Sequence, residues 1–403
     1  MWLFNGNSTS KLLQRQDVEG QLQLLNVLHS KADCAGDVEK LLHKHPSCLP
    51  VVLQLLRSKH AGVQQQAAMV LGRFAQTGPT VASQVLDSVS STRASDGSVA
   101  GLVVLLGCGA AAVQEEAAHC LSRLAWDSPA RQDSIAAEPG AITGLTALLN
   151  SSDGAVQCAA AAALSVLSDW CPANRERIGR EPGAVAALAA LLDGNSTHAQ
   201  AAAASLLTNL AWKCPANRQR IRQEPGAVER LTALLASEQA RVQQSAAWAV
   251  AGLTLGSPAD SDRISQEPQA IPGLVALLSS SQADVQFAGA LAMAAAAEGS
   301  SKVQQTLLRE AAAAWPALCF EEQVSVQPPI FSADVSRLLH SLAAGSAALR
   351  QSMAGSKELI QLLKALQQRL EGTPDNMATP TLKLLTQGRP RRCWDKVVPI
   401  ECL

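Results

Sequence analysis

The chain has 403 residues, of which 47 % are hydrophobic, 17 % charged and 3 % aromatic, with no tyrosine and about 70 alanines. That much apolar material excludes disorder over most of the chain, and alanine in place of β-branched and aromatic residues argues for helices and against a β-sandwich or barrel. The 33 basic and 34 acidic residues leave a formal charge of −1, so no global field recruits nucleic acid or an anionic membrane.

The N-terminal Met1-Trp-Leu-Phe4 is too short an apolar core for an export signal. The ten cysteines, none in a CxxC pair, are therefore expected to be reduced thiols of a cytoplasmic protein with a nuclear share. Residues 1–36 are expected to form a cap built on one helix at 17–30. His29, Cys34, His43, His45, Cys48 and His60 crowd this region. His43 and His45 stand two apart on a helix and point away from each other, so a solvated helix end is expected and no metal. Gly107-Cys-Gly-Ala-Ala-Ala112 imitates a dinucleotide loop without the strand such a loop must follow, so no cofactor is expected. The longest apolar run, Phe287 to Ala297, is too short to cross a bilayer, and membrane insertion is not expected.

From residue 37 to about 370 the chain repeats itself. Glu138-Pro-Gly-Ala141 returns as Glu181-Pro-Gly-Ala184, Glu224-Pro-Gly-Ala227 and Glu267-Pro-Gln-Ala270, each step 43 residues. Val-Gln stands in the same register at Val113, Val156, Val242 and Val285, with Ala199-Gln200 between. Asn174-Arg-Glu-Arg-Ile178 returns as Asn217-Arg-Gln-Arg-Ile221 and, decayed, as Asp260-Ser-Asp-Arg-Ile264. Each period predicts three helices. A short first helix starts at Pro129, Pro172, Pro215 or Pro258, where a first-turn N–H has no partner to lose. A second follows Gly140, Gly183 or Gly226, which permit a sharp turn, and carries one apolar stripe such as Ile142, Leu145, Leu148 and Leu149. A third runs from Val156 through Ala160, Ala163, Leu164 and Leu167. Leu148, Leu191 and Leu234 share one slot and are expected to be buried. Arg175, Arg177, Arg180, Arg218, Arg220 and Arg222, diluted by glutamates, are expected on a solvated face, and Cys171 and Cys214 as small helix-capping residues. One repeat carries seven extra residues, placed in a loop at 88–97. A degenerate repeat is expected at about 299–345, and a C-terminal cap and flexible tail at 371–403.

The Asn-Arg-x-x-Ile, Gly-Ala-(Ile/Val)-x-x-Leu-x-x-Leu-Leu and Val-Gln-x-x-Ala-Ala-x-x-Leu signatures resemble the armadillo repeat family. The resemblance implies an all-α, right-handed α-solenoid of about seven three-helix repeats, whose third helices line a concave groove that holds an extended peptide or partner protein. It implies a non-enzymatic interaction scaffold, with no catalytic residue, no cofactor and no small-molecule substrate. A substrate adaptor of a ubiquitin ligase or a co-chaperone exchange factor is the alternative role, and a nuclear-import adaptor is disfavoured because the asparagines and tryptophans of that branch do not recur in tandem here. Asn209 occupies the slot of the family's peptide-pinning asparagine, and its equivalents are Arg73, Arg123, Val166, Gly252 and Ala295. One turn earlier lie His119 and Trp248. Arg73, His119, Arg123, Asn209 and Trp248 are therefore the expected partner-binding residues, with the upstream arginines preferring an acidic stretch of the ligand and Trp248 an apolar or cationic side chain.

Overall fold

The computed structural model describes residues 17–32, 35–87, 98–298, 300–311, 339–340, 343, 357–369, 371 and 377–387. They are helical, with no strand among them. The expected loop at 88–97, most of the degenerate repeat and the tail beyond 387 lie outside the described residues. The chain divides into two compact units, 1–227 and 228–403.

The first unit opens on α1 (Val18–Lys31), capped by the Asp17 carboxylate, then α2 (Ala35–Lys44) and α3 (Cys48–Leu55). α4 (Ala61–Gln76) is a third helix in the repeat register, followed by α5 (Pro79–Asp87), α6 (Ser98–Leu106) and α7 (Ala111–Ala125). Two full repeats follow, α8 (Pro129–Ala137), α9 (Ala141–Leu148) and α10 (Gly154–Ser168), then α11 (Pro172–Arg180), α12 (Ala184–Leu192) and α13 (Thr197–Ala211), and α14 (Pro215–Gln223) begins the next. The third helices pack in sequence, α4 on α7, α7 on α10 and α10 on α13, with α1 covering α4. Ala67, Ala68, Ala117, Ala118, Ala160, Ala163, Ala203 and Ala204 are fully buried along them. Small side chains let neighbouring helices approach closely, and each repeat thus buries the stripe it cannot cover alone. This is an all-α solenoid of armadillo-type repeats.

The second unit contains α15 (Ala227–Ala233), which starts at the boundary and runs into a 3-10 turn at Leu234–Ala236, then α16 (Ala240–Thr254), α17 (Pro258–Ile264), α18 (Ala270–Leu277), α19 (Ala283–Ala297) and α20 (Ser301–Ala311). α16 packs on α19 as the third helices of the first unit do, and α21 (Lys357–Arg369) packs on α22 (Ala378–Gln387). No described helix is long and apolar enough to cross a membrane.

Two sequence markers acquire a physical cause. The valine of each Val-Gln pair is buried, and the glutamine amide donates back to the carbonyls that end the preceding second helix. Gln114 reaches Leu106 O and Cys108 O, Gln157 reaches Ser151 O, Gln200 reaches Leu192 O and Gly194 O, and Gln286 reaches Ser280 O. Gly140, Gly183 and Gly226 take φ of 84°, 79° and 73°, the left-handed turn that favours glycine, whereas Gln269 in the fourth copy sits at φ −89°.

Three expectations need correcting. Leu148 and Leu191 are buried at 5 % and 4 % exposure, but Leu234 is half-buried. Its segment has tightened into the 3-10 turn, which rotates Leu234 off the stripe and leaves Leu235 in the core. The first-helix arginines are not all solvated: Arg175 is buried and donates to Ser168 O and Trp212 O, tying together the ends of two third helices. Cys171 and Cys214 stand at the N-caps without capping through sulfur. The Cys171 thiol donates instead to Asp133 Oδ1 at 2.8 Å.

Candidate functional site

The third helices leave one face unburied. On α7 it carries Glu115, Glu116, His119, Ser122 and Arg123. On α10 and α13 the same slots hold Ala162, Ser165, Val166 and Ser205, a low surface between taller neighbours. The scaffold behind this face is rigid because the first helices are stitched to it. Asn174 Nδ2 donates to Leu167 O on the third helix and to Asp133 Oδ1 on the first helix of the preceding repeat, both at 3.1 Å. Asn217 repeats the device on Leu210 O at 3.0 Å and Arg175 O at 2.8 Å. Both asparagines are buried, and the bonds to Leu167, Leu210 and Arg175 close backbone carbonyls inside the stack.

Arg73 stands half-exposed in the last turn of α4. Arg123 folds its stem over that helix: a Cβ added at Gly72 would meet Arg123 Cδ at 3.2 Å and Nη1 at 2.8 Å. The same Nη1 is buried without an acceptor. His119, half-buried, lies 3.9 Å from Glu115. Burial, reinforced by the Arg123 guanidinium, holds its imidazole below the usual histidine range, against the upward pull of Glu115. Burial also pushes the Glu116 carboxyl up, against Arg123. His119 and Arg123 line one open cleft of about 650 Å³.

Asn209 is engaged inside the stack. Its amide nitrogen donates to Ser165 O at 3.1 Å and Ser165 Oγ at 3.0 Å, which joins α13 to α10. In the second unit Trp248 is half-buried and meets Phe287 edge-on, with ring centroids 5.5 Å apart and planes at 61°. Asn209 and Trp248 belong to different units.

Residues 214–254 match the family model of the armadillo/beta-catenin-like repeat. The fold of the chain is that of armadillo repeats, and one stretch of it matches the family model. Its fold is similar to that of an engineered protein solved by a structural genomics consortium, at 24 % identity and a TM-score of 0.69 over 94 % of this chain and 98 % of that one. It is also similar to a designed armadillo repeat protein at 24 % identity and a TM-score of 0.55, over 62 % of this chain and 99 % of that one. A second design, solved in complex with the peptide (KR)4, matches at 24 % identity and a TM-score of 0.54, over 61 % and 98 %. No curated protein sequence matches the chain.

The cleft at His119 and Arg123 contains two residues that the sequence reading passed over, Trp126 and Arg131. Trp126 is 67 % exposed, and Trp170 in the next repeat is 50 % exposed. Both flank the turn from third helix to first helix, where Asp127, Trp170, Lys213 and Gly256 adopt φ of 55°, 53°, 51° and 67°. Arg131 fills the slot of Asn174 and Asn217. Its Nε donates to Leu124 O and its Nη2 to Trp126 O, both at 2.7 Å. The 43-residue register contained both signals: an aromatic recurring at Trp126 and Trp212, and a basic residue where the next two copies have asparagine. His43 is exposed and His45 half-buried. No group of three or more metal-ligating side chains converges among the described residues.

Proposed function

We propose that this protein is a non-enzymatic scaffold whose third-helix face binds an extended peptide. The observation that carries the reading is the contrast between that face and its backing. Arg73, His119 and Arg123 in the first unit, and Trp248 in the second, lie on the partly exposed side of third helices whose opposite sides are buried, and within each unit that is a pre-organised surface that loses little freedom on binding. The complex of a related design with (KR)4 supports a peptide as the ligand class. Asn209 serves the stack through its amide nitrogen, so the weight of recognition falls on the other four side chains.

The test is an array of extended peptides probed with the whole chain, followed by titration of the best binder. Trp248→Ala and the pair Arg73→Glu, Arg123→Glu should each weaken that binder at least tenfold with helicity intact. Unchanged affinity in both variants would remove the third-helix face as the binding surface.

A further inference from the structure

The cleft beside Trp126 has a specific structural origin. In the two following repeats the asparagine of the first helix reaches back to the preceding first helix, Asn174 to Asp133 and Asn217 to Arg175. Those bonds link successive first helices. Arg131 in the same slot makes both its side-chain hydrogen bonds to the end of the preceding third helix, α7, at Leu124 and Trp126. Among the described residues it makes no tie to α5, the preceding first helix. The space between the turn at 76–78 and the turn at 126–128 therefore stays open, and Gln76, Gly78, Ser122, Trp126, Asp127 and Arg131 face it together with Arg123.

Its chemistry is lopsided. Two guanidinium groups, Arg123 and Arg131, line the cleft against one carboxylate, the exposed Asp127. Glu115 and Glu116 lie nearby on α7 but outside the lining, the first beside His119. One Arg123 guanidinium nitrogen is buried with no acceptor, an unmet donor that an anion in the cleft would draw out and satisfy. The Trp126 indole, two-thirds exposed, offers a flat apolar surface. Aromatic and arginine side chains together are the usual anchors of an interface.

We propose that this cleft, at the ends of the third helices, is an anchoring site for an acidic peptide segment, one ligand carboxylate lying between Arg123 and Arg131 and the adjacent apolar side chain resting on Trp126. The site rests on the chain being a peptide binder, but not on where along the third-helix face other ligands lie. Trp126 and Arg131 are its distinguishing residues, because neither belongs to the slots of Asn209 or Trp248.

The experiment uses the full chain and a fluorescein-labelled octapeptide of alternating Glu and Leu, with Lys-Leu and Gln-Leu octapeptides as controls, read by anisotropy. The variants follow the repeats themselves. Arg131→Asn installs the residue that the next two repeats carry, and Trp126→Leu installs the residue found at Leu255. Both are therefore expected to fold, with unchanged circular dichroism and Tm. The Glu-Leu peptide should bind at least tenfold more tightly than the Lys-Leu peptide. Each variant should weaken it at least tenfold, while Trp248→Ala leaves it within twofold. No binding of the Glu-Leu peptide, a preference for Lys-Leu, or equal affinity in wild type and both variants would each overturn the proposal. Loss in Trp248→Ala without loss in Trp126→Leu would discard the cleft and keep the third-helix reading; loss only in the cleft variants is the expected result, and it leaves the third-helix face to its own peptide-array test.

Discussion

Replacing Gly179 by alanine sets two effects of opposite sign against each other. Gly179 lies inside α11, where glycine is less favourable than alanine by about 0.5–1 kcal/mol, so helix propensity alone predicts a gain. The packing predicts a larger loss. A Cβ at this position would stand 2.0 Å from Asn217 Oδ1, 2.5 Å from Cγ and 2.7 Å from Nδ2. These atoms belong to a fully buried amide that donates to Leu210 O and Arg175 O and accepts from Arg220 Nη1, so it has no free direction in which to move. Displacing it breaks two buried bonds at about 1–3 kcal/mol each. Set against the propensity gain, the net loss should be about 1–5 kcal/mol. Urea unfolding followed by circular dichroism measures it, and a double-mutant cycle isolates the cause. In an Asn217→Ala background the clash is gone, and Gly179→Ala should become neutral or stabilising by up to about 1 kcal/mol. A Gly179→Ala protein as stable as wild type would refute the reasoning, because it would mean that the asparagine tie between first helices contributes little.

Leu148→Ala and Leu191→Ala should each cost about 2–4 kcal/mol by cavity formation, and half-buried Leu234→Ala distinctly less; equal losses at all three in thermal melts would contradict the 3-10 rotation. At the left-handed turn slot, Lys213→Gly should stabilise by about 0.5–1 kcal/mol, whereas Gly256→Ala should destabilise by about 1 kcal/mol. His119 should titrate below 6.5 by NMR, and Arg123→Gln should raise its pKa. Because the folded pKa lies below the unfolded one, the stability that neutral His119 contributes is complete above the unfolded value and is lost as pH falls through 6.5 towards the folded value.

The sequence alone determined the local grammar of the molecule. Prolines open α8, α11, α14 and α17, glycines turn the chain into α9 and α12, and the 43-residue register places each third helix, because these signals act within a few residues and repeat in tandem. The identity of the buried face was equally legible, since one stripe per helix has only the next repeat to cover it. Contacts between repeats were not. Asn174, Arg175, Asn209 and Asn217 find their partners about 40 residues away, and in sequence each reads as a surface polar residue or a ligand-binding one. Only the stacked helices show that their side chains close buried carbonyls instead. The cleft at Trp126 was decided at the same level: Arg131 in an asparagine slot is a single substitution in the register, and its effect, an unclosed gap lined by two arginines and an exposed indole, exists only once successive repeats lie side by side.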